Sequence, residues 1–223
     1  MPRLWTPGAL ARNHGRWPAM APAVHNDAMH LAAATLENAW VRLELFEERH
    51  REGLAALAAA EPDIFRHMPF AIAQEGYSWW FDRLRADQAE GRSIPHAVFA
   101  DDRLIGQTCY LNIRPRDAGV EIGSTWYLRA AQGTFVNPSC KLALMANAFD
   151  QGAERVELKT DALNAQSRAA LLKLGATFEG IHRRHMRRAD GTLRDTAWYS
   201  VIREDWPGVR AKLEARLAAI GIG

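Results

Sequence analysis

The sequence predicts a mixed α/β fold, α/β with α+β character: a central, mostly antiparallel sheet holding one parallel pair, with helices on both faces. Three observations carry that expectation. Strand-like runs at 120–128 and 155–160 are separated by a helix-like run, which demands a parallel pair with a right-handed crossover. The β-rich runs before and after this unit are joined by short turn signals, as antiparallel neighbours are. No repeat or low-complexity linker interrupts residues 29–223, so they read as one domain.

In chain order, "AWVRLEL" (39–45) alternates Trp40, Arg42 and Glu44 against Val41, Leu43 and Leu45, the period of a half-buried strand. "EERHREGLAALAAA" is rich in strong helix formers and Pro62 ends it. "QEGYSWWFDRLRADQAEG" reads as a second helix closed by Gly91, with Tyr77, Trp80, Phe81 and Leu84 at core spacing. "HAVFADDRLIGQTCYLNI" is two strands turning at Asp101-Asp102, and "VEIGSTWYL" is a further strand. The helix "NPSCKLALMANAFDQG" places Leu142, Met145 and Phe149 on one face, with Gly152 as its C-terminal cap. "RVELKT" points Val156 and Leu158 inward, and "NAQSRAALLKLG" is a helix closing at Gly175. A hairpin turning at Asp190-Gly191 and a helix from "EDWPGVRAKLEARLAAI" complete the order.

Composition narrows the function. The 48% hydrophobic and 24% charged residues are those of a globular protein, and no apolar run approaches the roughly 20 residues of a membrane span. The net charge of +2 is concentrated in residues 1–26, which carry Arg3, Arg12 and Arg16 and no acid. Without those three the 28 basic residues become 25 against 26 acidic, so nucleic acid is not the expected partner. Residues 1–28 read as a disordered extension, without the apolar core of a secretory signal. The two cysteines, Cys109 and Cys140, have no metal-ligand spacing and fit a reducing compartment, the cytoplasm. No metal site is expected.

The stretch "QGTFVNPSC" (132–140) ends in a helix-start signature. Asn137 is a favoured N-cap and Pro138 suits the first helical position, which leaves the amides of Ser139, Cys140 and Lys141 at the helix mouth. With the helix dipole, such a mouth holds an anion, and Lys141 in the first turn is a small hint of phosphate. On these residues alone, an ordinary cap binding water accounts for the pattern.

Context changes that reading. "VEIGSTWYL", then the 132–149 segment, then "RVELKTDALNAQSRAALLKLGATFEG" and "GTLRDTAWYSVI" together resemble the GNAT superfamily of acyl-CoA N-acyltransferases. The nearest likeness is the RimJ/RimL-like branch, which acetylates protein N-termini. The resemblance runs from about Trp40 to Trp206, and its motifs cover about half the chain. It implies a sheet whose parallel pair is splayed, acetyl-CoA as cosubstrate, direct transfer to a primary amine, and membership of a family that is often dimeric.

The resemblance places the pyrophosphate cradle of coenzyme A on Gln132, Gly133, Thr134, Phe135, Val136 and Asn137. Phe135 stands where the family commonly has glycine, so either its backbone stays ordinary with the ring turned away or the phosphate contact is looser. Glu121, on the splayed strand, is implied as general base, against a plain exposed strand glutamate. Asn164 and Ser167 form the family-like "NxxS", Asn164 capping the helix and bonding the pantetheine arm. Leu171 occupies the position of the family's acidic tyrosine, which leaves Ser167 to protonate the thiolate, with Tyr199 a remote alternative. Cys140 reads as a packed small residue rather than a nucleophile. His182 and His185, three apart on a strand, are expected on opposite faces. Arg183, Arg184, Arg187 and Arg188 read as a solvated edge. The acceptor expected first is a protein or peptide N-terminal amine. A small amine (amino acid, polyamine, aminoglycoside) and a non-catalytic CoA-binding sensor are the alternatives.

Overall fold

The computed structural model describes residues 29–70 and 72–220, and the extension expected over 1–28 lies outside the described residues. One eight-stranded sheet runs in the order β1-β2-β3-β4-β5-β6-β8-β7. Its strands are β1 (Leu36–Glu37), β2 (Arg42–Leu45), β3 (Ile94–Ala100), β4 (Arg103–Arg114), β5 (Gly119–Tyr127), β6 (Arg155–Asp161), β7 (Thr177–Arg187) and β8 (Leu193–Ile202). Only β5 and β6 pair in parallel; every other neighbouring pair is antiparallel. The predicted mixed sheet and its crossover are therefore present.

The helices are α1 (Arg51–Ala60), α2 (Ile72–Glu75), α3 (Tyr77–Ala89), α4 (Val136–Asp150), α5 (Ala165–Leu174) and α6 (Trp206–Ala218). The strand alternation sorts them into two layers. Val120, Ile122, Val156, Leu158 and Val201 pack with Leu144 and Met145 of α4 and Leu213 of α6. On the other face Ala97, Cys109 and Trp126 pack with Leu54 of α1 and Phe81 and Leu84 of α3. This second cluster takes no residue from β6, β7 or β8; on that face the 62–70 segment reaches β8 instead, through the His67 carbonyl and Arg194. Among the described residues no helix is long and apolar enough to cross a membrane.

Several boundaries differ from the sequence expectation. The strand expected from Ala39 begins at Arg42, because Asn38 Oδ1 accepts from the amides of Trp40 (3.0 Å) and Val41 (3.1 Å) and bends the chain there. The helix expected over 74–91 is broken at Gly76, whose φ of 81° and ψ of 155° end α2 and begin α3. Asp101 and Asp102 form the expected two-residue turn, both at positive φ (49° and 56°), with Ala100 paired to Arg103. β7 carries a register shift between His182 and Met186, with Arg184 at φ 50°. That bulge slips the alternation by one, so the rings of His182 and His185 lie 5.5 Å apart and both pack on Trp198. The expectation that they face opposite sides was wrong.

Candidate active site

β5 and β6 are paired only from Gly119–Glu121 to Arg155–Glu157. β5 then continues to Tyr127 and β6 to Asp161 without each other, so the two strands part into a V. The expected splay is present, and a bulge marks the diverging strand. Ser124 sits at φ 48°, and the β4–β5 register shifts between Gln107 and Cys109. The extra residue aims Thr125 toward α4 and Trp126 into the α1/α3 layer. The V opens a cleft of about 380 Å³ whose walls include Gly123, Thr125, Leu158, Asn164 and Ser167.

At one end lies the mouth of α4. The helix starts at Val136, with Phe135 as its N-cap, two residues earlier than expected, so Asn137 is not the cap. Pro138 falls within the first turn, where its missing N–H still costs nothing. The amide of Ser139 already bonds Phe135 O at 3.0 Å, so it does not point out of the mouth. Among the described residues the amides of Gly133, Thr134, Phe135 and Asn137 have no acceptor, and these are the donors the mouth presents. The amide of Gln132 is taken by Arg129 O (3.0 Å) and that of Val136 by Thr134 Oγ1 (3.3 Å). Phe135 has an ordinary helical backbone (φ −68°, ψ −20°), and its ring packs on the main core. The first of the two alternatives for Phe135 is the one observed. Lys141 does not face the mouth: its Nζ donates to Thr125 Oγ1 (3.2 Å) from a side of α4 that lines the cleft.

At the crotch of the V, Glu121 is 1% exposed. Its Oε2 accepts from Asn112 Nδ2 (2.5 Å) and from Lys159 Nζ (2.8 Å), so it is no exposed strand glutamate. Oε1 takes no hydrogen bond among the described residues and lies over Gly123, where a Cβ would come within 2.8 Å of it. Glycine at 123 is what allows this carboxylate to lie flat on the strand.

Asn164 caps α5, its Oδ1 accepting from the Ser167 amide at 3.0 Å, and both residues line the cleft with Leu171. Tyr199 is fully buried outside the cleft lining, its hydroxyl accepting from Arg168 Nε (3.2 Å). Cys140 is also fully buried, and burial pushes its thiol up to about 11. The packed reading of Cys140 holds.

Sequence reasoning misplaced Lys141 and His185 and missed Arg194 among the polar groups near the crotch. Lys141, 4% exposed with no carboxylate partner among the described residues, is lowered by burial to about 8. Arg194 on β8 is 4% exposed and lines the cleft beside Lys159 and Met186. The His185 ring is open to solvent on one side, and its Nδ1 lies 3.2 Å from Thr196 Oγ1. Desolvation of its inner side, then Lys159, His182 and Arg194, hold it below its ordinary value. No sequence spacing marks His185 and Arg194 as neighbours of the cleft, since the β7 bulge and the β8 register place them there.

The comparisons agree with this geometry. The sequence profile of the acetyltransferase (GNAT) domain matches residues 41–177, more than half of the chain. A solved acetyltransferase structure is similar at 34% identity, covering 82% of this chain and 93% of that one with a TM-score of 0.73. An acetyltransferase structure from T. thermophilus is similar at 33% identity, covering 85% and 100% with a TM-score of 0.75. Mycobacterium smegmatis RimJ, solved in complex with a CoA disulfide, shares the fold at 22% identity, covering 82% and 93% with a TM-score of 0.70. No curated protein matches the chain. A parallel pair that splays around a cleft, a donor-rich helix mouth at one end and a matching family profile lead to one assignment: the chain belongs to the GNAT acetyltransferase family.

Proposed function

We propose that the chain moves the acetyl group of acetyl-CoA directly onto a primary amine, and that the acceptor is the N-terminal amine of a protein or peptide. One observation carries this reading: a single cleft joins the unpaired amides at the mouth of α4 to the buried carboxylate of Glu121. The amides of Gly133, Thr134, Phe135 and Asn137 take the pyrophosphate, with Gln132 and Val136 shaping the turn. Asn164, its Oδ1 committed to the cap, turns its remaining amide hydrogens to the pantetheine arm. RimJ, which shares this fold, holds CoA, and the donor assigned here is the same molecule.

The chemistry follows from the residues at the crotch. The amine gives its proton to Oε1 of Glu121 and attacks the thioester carbonyl; the C–N bond forms and an oxyanion develops. Collapse of that oxyanion breaks the C–S bond. Ser167 passes a proton to the departing thiolate, itself a good leaving group. The α1/α3 layer takes no residue of β6, β7 or β8, and the partly open Lys159 and Trp198 with the exposed His185 mark the side from which an extended peptide would reach Glu121.

Thermal denaturation with acetyl-CoA, CoA and ATP tests the donor, followed by thiol release on adding peptides with free N-termini. A ligand at about 100 times its Kd adds roughly 2.7 kcal/mol, a Tm rise of about 5–10 °C for a chain of this size. The expected result is a rise with both CoA forms, none with ATP, and amine-dependent thiol release. A rise without thiol release for any amine would leave the sensor reading. No rise at all sinks the proposal.

A further inference from the structure

Arg194 is a charged group of the cleft that acetyl transfer to a plain amine does not use. It is 4% exposed, projecting from β8 on the same face as Thr196 and Trp198. Its Nε donates to Thr196 Oγ1 (3.2 Å) and its Nη1 to the carbonyl of His67 (3.4 Å), which ties the 62–70 segment to β8. No carboxylate lies within ion-pair distance of it among the described residues. The nearby Asp161 is already taken by Arg188, at 2.7 and 3.1 Å. Burial therefore holds the Arg194 guanidinium below its ordinary value, with Asp161 and Glu121 pulling only partly the other way. Nη2 has no acceptor among the described residues, although the side chain lines the cleft.

A desolvated guanidinium without an anion is costly to keep, and the cost is offset when an anion arrives. Arg66 and Lys159 line the same part of the cleft; Lys159 is matched by Glu121, whereas Arg194 is unmatched. The far end of the cleft thus offers an acidic group at Glu121 for the amine and a cationic fork at Arg194 for an anion. We infer that the acceptor is a primary amine bearing a carboxylate a few bonds from its nitrogen, and that Arg194 binds that carboxylate. With Nε and Nη1 held by Thr196 and His67, the guanidinium is fixed in place and its free Nη2 offers a charged donor that sets the direction in which the amine enters. This deepens the amine-acceptor reading and rests on it. Two sources supply such a carboxylate: an acidic first residue of a peptide, or the α-carboxylate of a free amino acid.

The experiment compares two pairs of acceptors with acetyl-CoA, reading thiol release. Glu-Ala-Ala-amide against Gln-Ala-Ala-amide varies the side-chain carboxylate; glutamine against glutamine amide varies the α-carboxylate. The carboxylate-bearing member of one pair should be preferred roughly tenfold to a hundredfold in kcat/KM, mainly through KM, the scale of a charged hydrogen bond. The pair that shows the preference identifies the source. In Arg194→Gln the preference should collapse to near unity, while the Tm rise with CoA stays. Arg194→Lys, which keeps the charge, should retain part of it and serves if the glutamine variant does not fold. Equal rates within both pairs in the wild type, or a preference that survives Arg194→Gln, overturn the inference and leave the acetyltransferase reading standing. Absence of acetylation of all four, with CoA still raising Tm, overturns both.

Discussion

The ammonium of Lys159 lies 2.8 Å from Oε2 of Glu121, spanning β6 to β5 just where the two strands stop pairing. The ion pair closes the crotch of the V and leaves Oε1 as the oxygen free for an incoming amine. Its members are unequal, since Glu121 is almost fully buried and Lys159 remains partly open. Removing the carboxylate therefore strands an ammonium that water still reaches. Glu121→Gln should fold, keep its Tm rise with CoA, and lose about a hundredfold or more in kcat/KM, the scale of general-base catalysis. Steady-state thiol release with a peptide amine measures it. Full turnover across the pH range would remove Glu121 as the base.

Gly123 gives an independent handle on the same carboxylate. A Cβ there would lie 2.8 Å from Glu121 Oε1 and 3.0 Å from Leu111 Cδ1. Gly123→Ala should push the carboxylate off the strand and lower kcat, with CoA affinity changed little. The split between kcat and the CoA-induced Tm rise is the readout. Equal damage to both would mean the strand itself had moved.

At the other end of the cleft, the donors proposed to hold the phosphates are backbone amides, so their charge environment is what can be changed. Asn137 lines the cleft with Gly133, so Asn137→Asp adds a negative charge at the mouth of α4. A like charge against a pyrophosphate should weaken CoA by about tenfold or more, more at low salt than at high. Titration of CoA at two ionic strengths tests it. An unchanged Kd would mean that the mouth of α4 is not the cradle.

The order of strands and helices was legible because period and turn chemistry are local. Val156 and Leu158 alternate, Asp101-Asp102 turns, and Gly175 stops a helix whatever the rest of the chain does. The V was expected only through the family likeness, because a parallel pair that stops after three residues leaves no trace in periodicity. The bulges were not legible at all. Ser124 and Arg184 adopt left-handed backbone without being glycine, and each reverses which face its downstream neighbours use. That is why His182 and His185 were misplaced. Arg194 was overlooked because an arginine at a hairpin end normally reads as solvated; burial by the 62–70 segment is a tertiary fact.

His96 should make the fold acid-sensitive. It is fully buried, its Nε2 donates to Ala34 O (3.0 Å), and its Nδ1 has no partner among the described residues. Burial lowers it to about 4. The unfolded chain then binds the proton more readily, so stability is complete above about pH 6.5 and falls as pH drops toward 4, by up to about 3 kcal/mol from this group. Urea unfolding of wild type and His96→Gln between pH 4 and 7 should give curves that converge toward the acid end. Parallel curves would show that His96 contributes nothing to the acid limb.

Lys141 works in the opposite direction along the pH scale. Its ammonium is buried against Thr125 with no carboxylate partner among the described residues, and burial lowers it from 10.5 to about 8. In the unfolded chain the amine holds its proton up to about pH 10.5. Below about pH 8 both states are protonated and the folded chain bears the full cost of a buried charge. Between about 8 and 10.5 only the unfolded chain remains protonated, so folding grows more favourable as pH rises. The span corresponds to about 3 kcal/mol, from which the lost Thr125 hydrogen bond subtracts roughly 1 kcal/mol on substitution. Lys141→Met should therefore be more stable than wild type at pH 7 by about 2 kcal/mol, and that advantage should vanish by about pH 10. Denaturant unfolding of both proteins at pH 7, 8.5 and 10 measures it. A variant less stable at pH 7 would show that this lysine is matched in the fold by a charge other than its Thr125 contact.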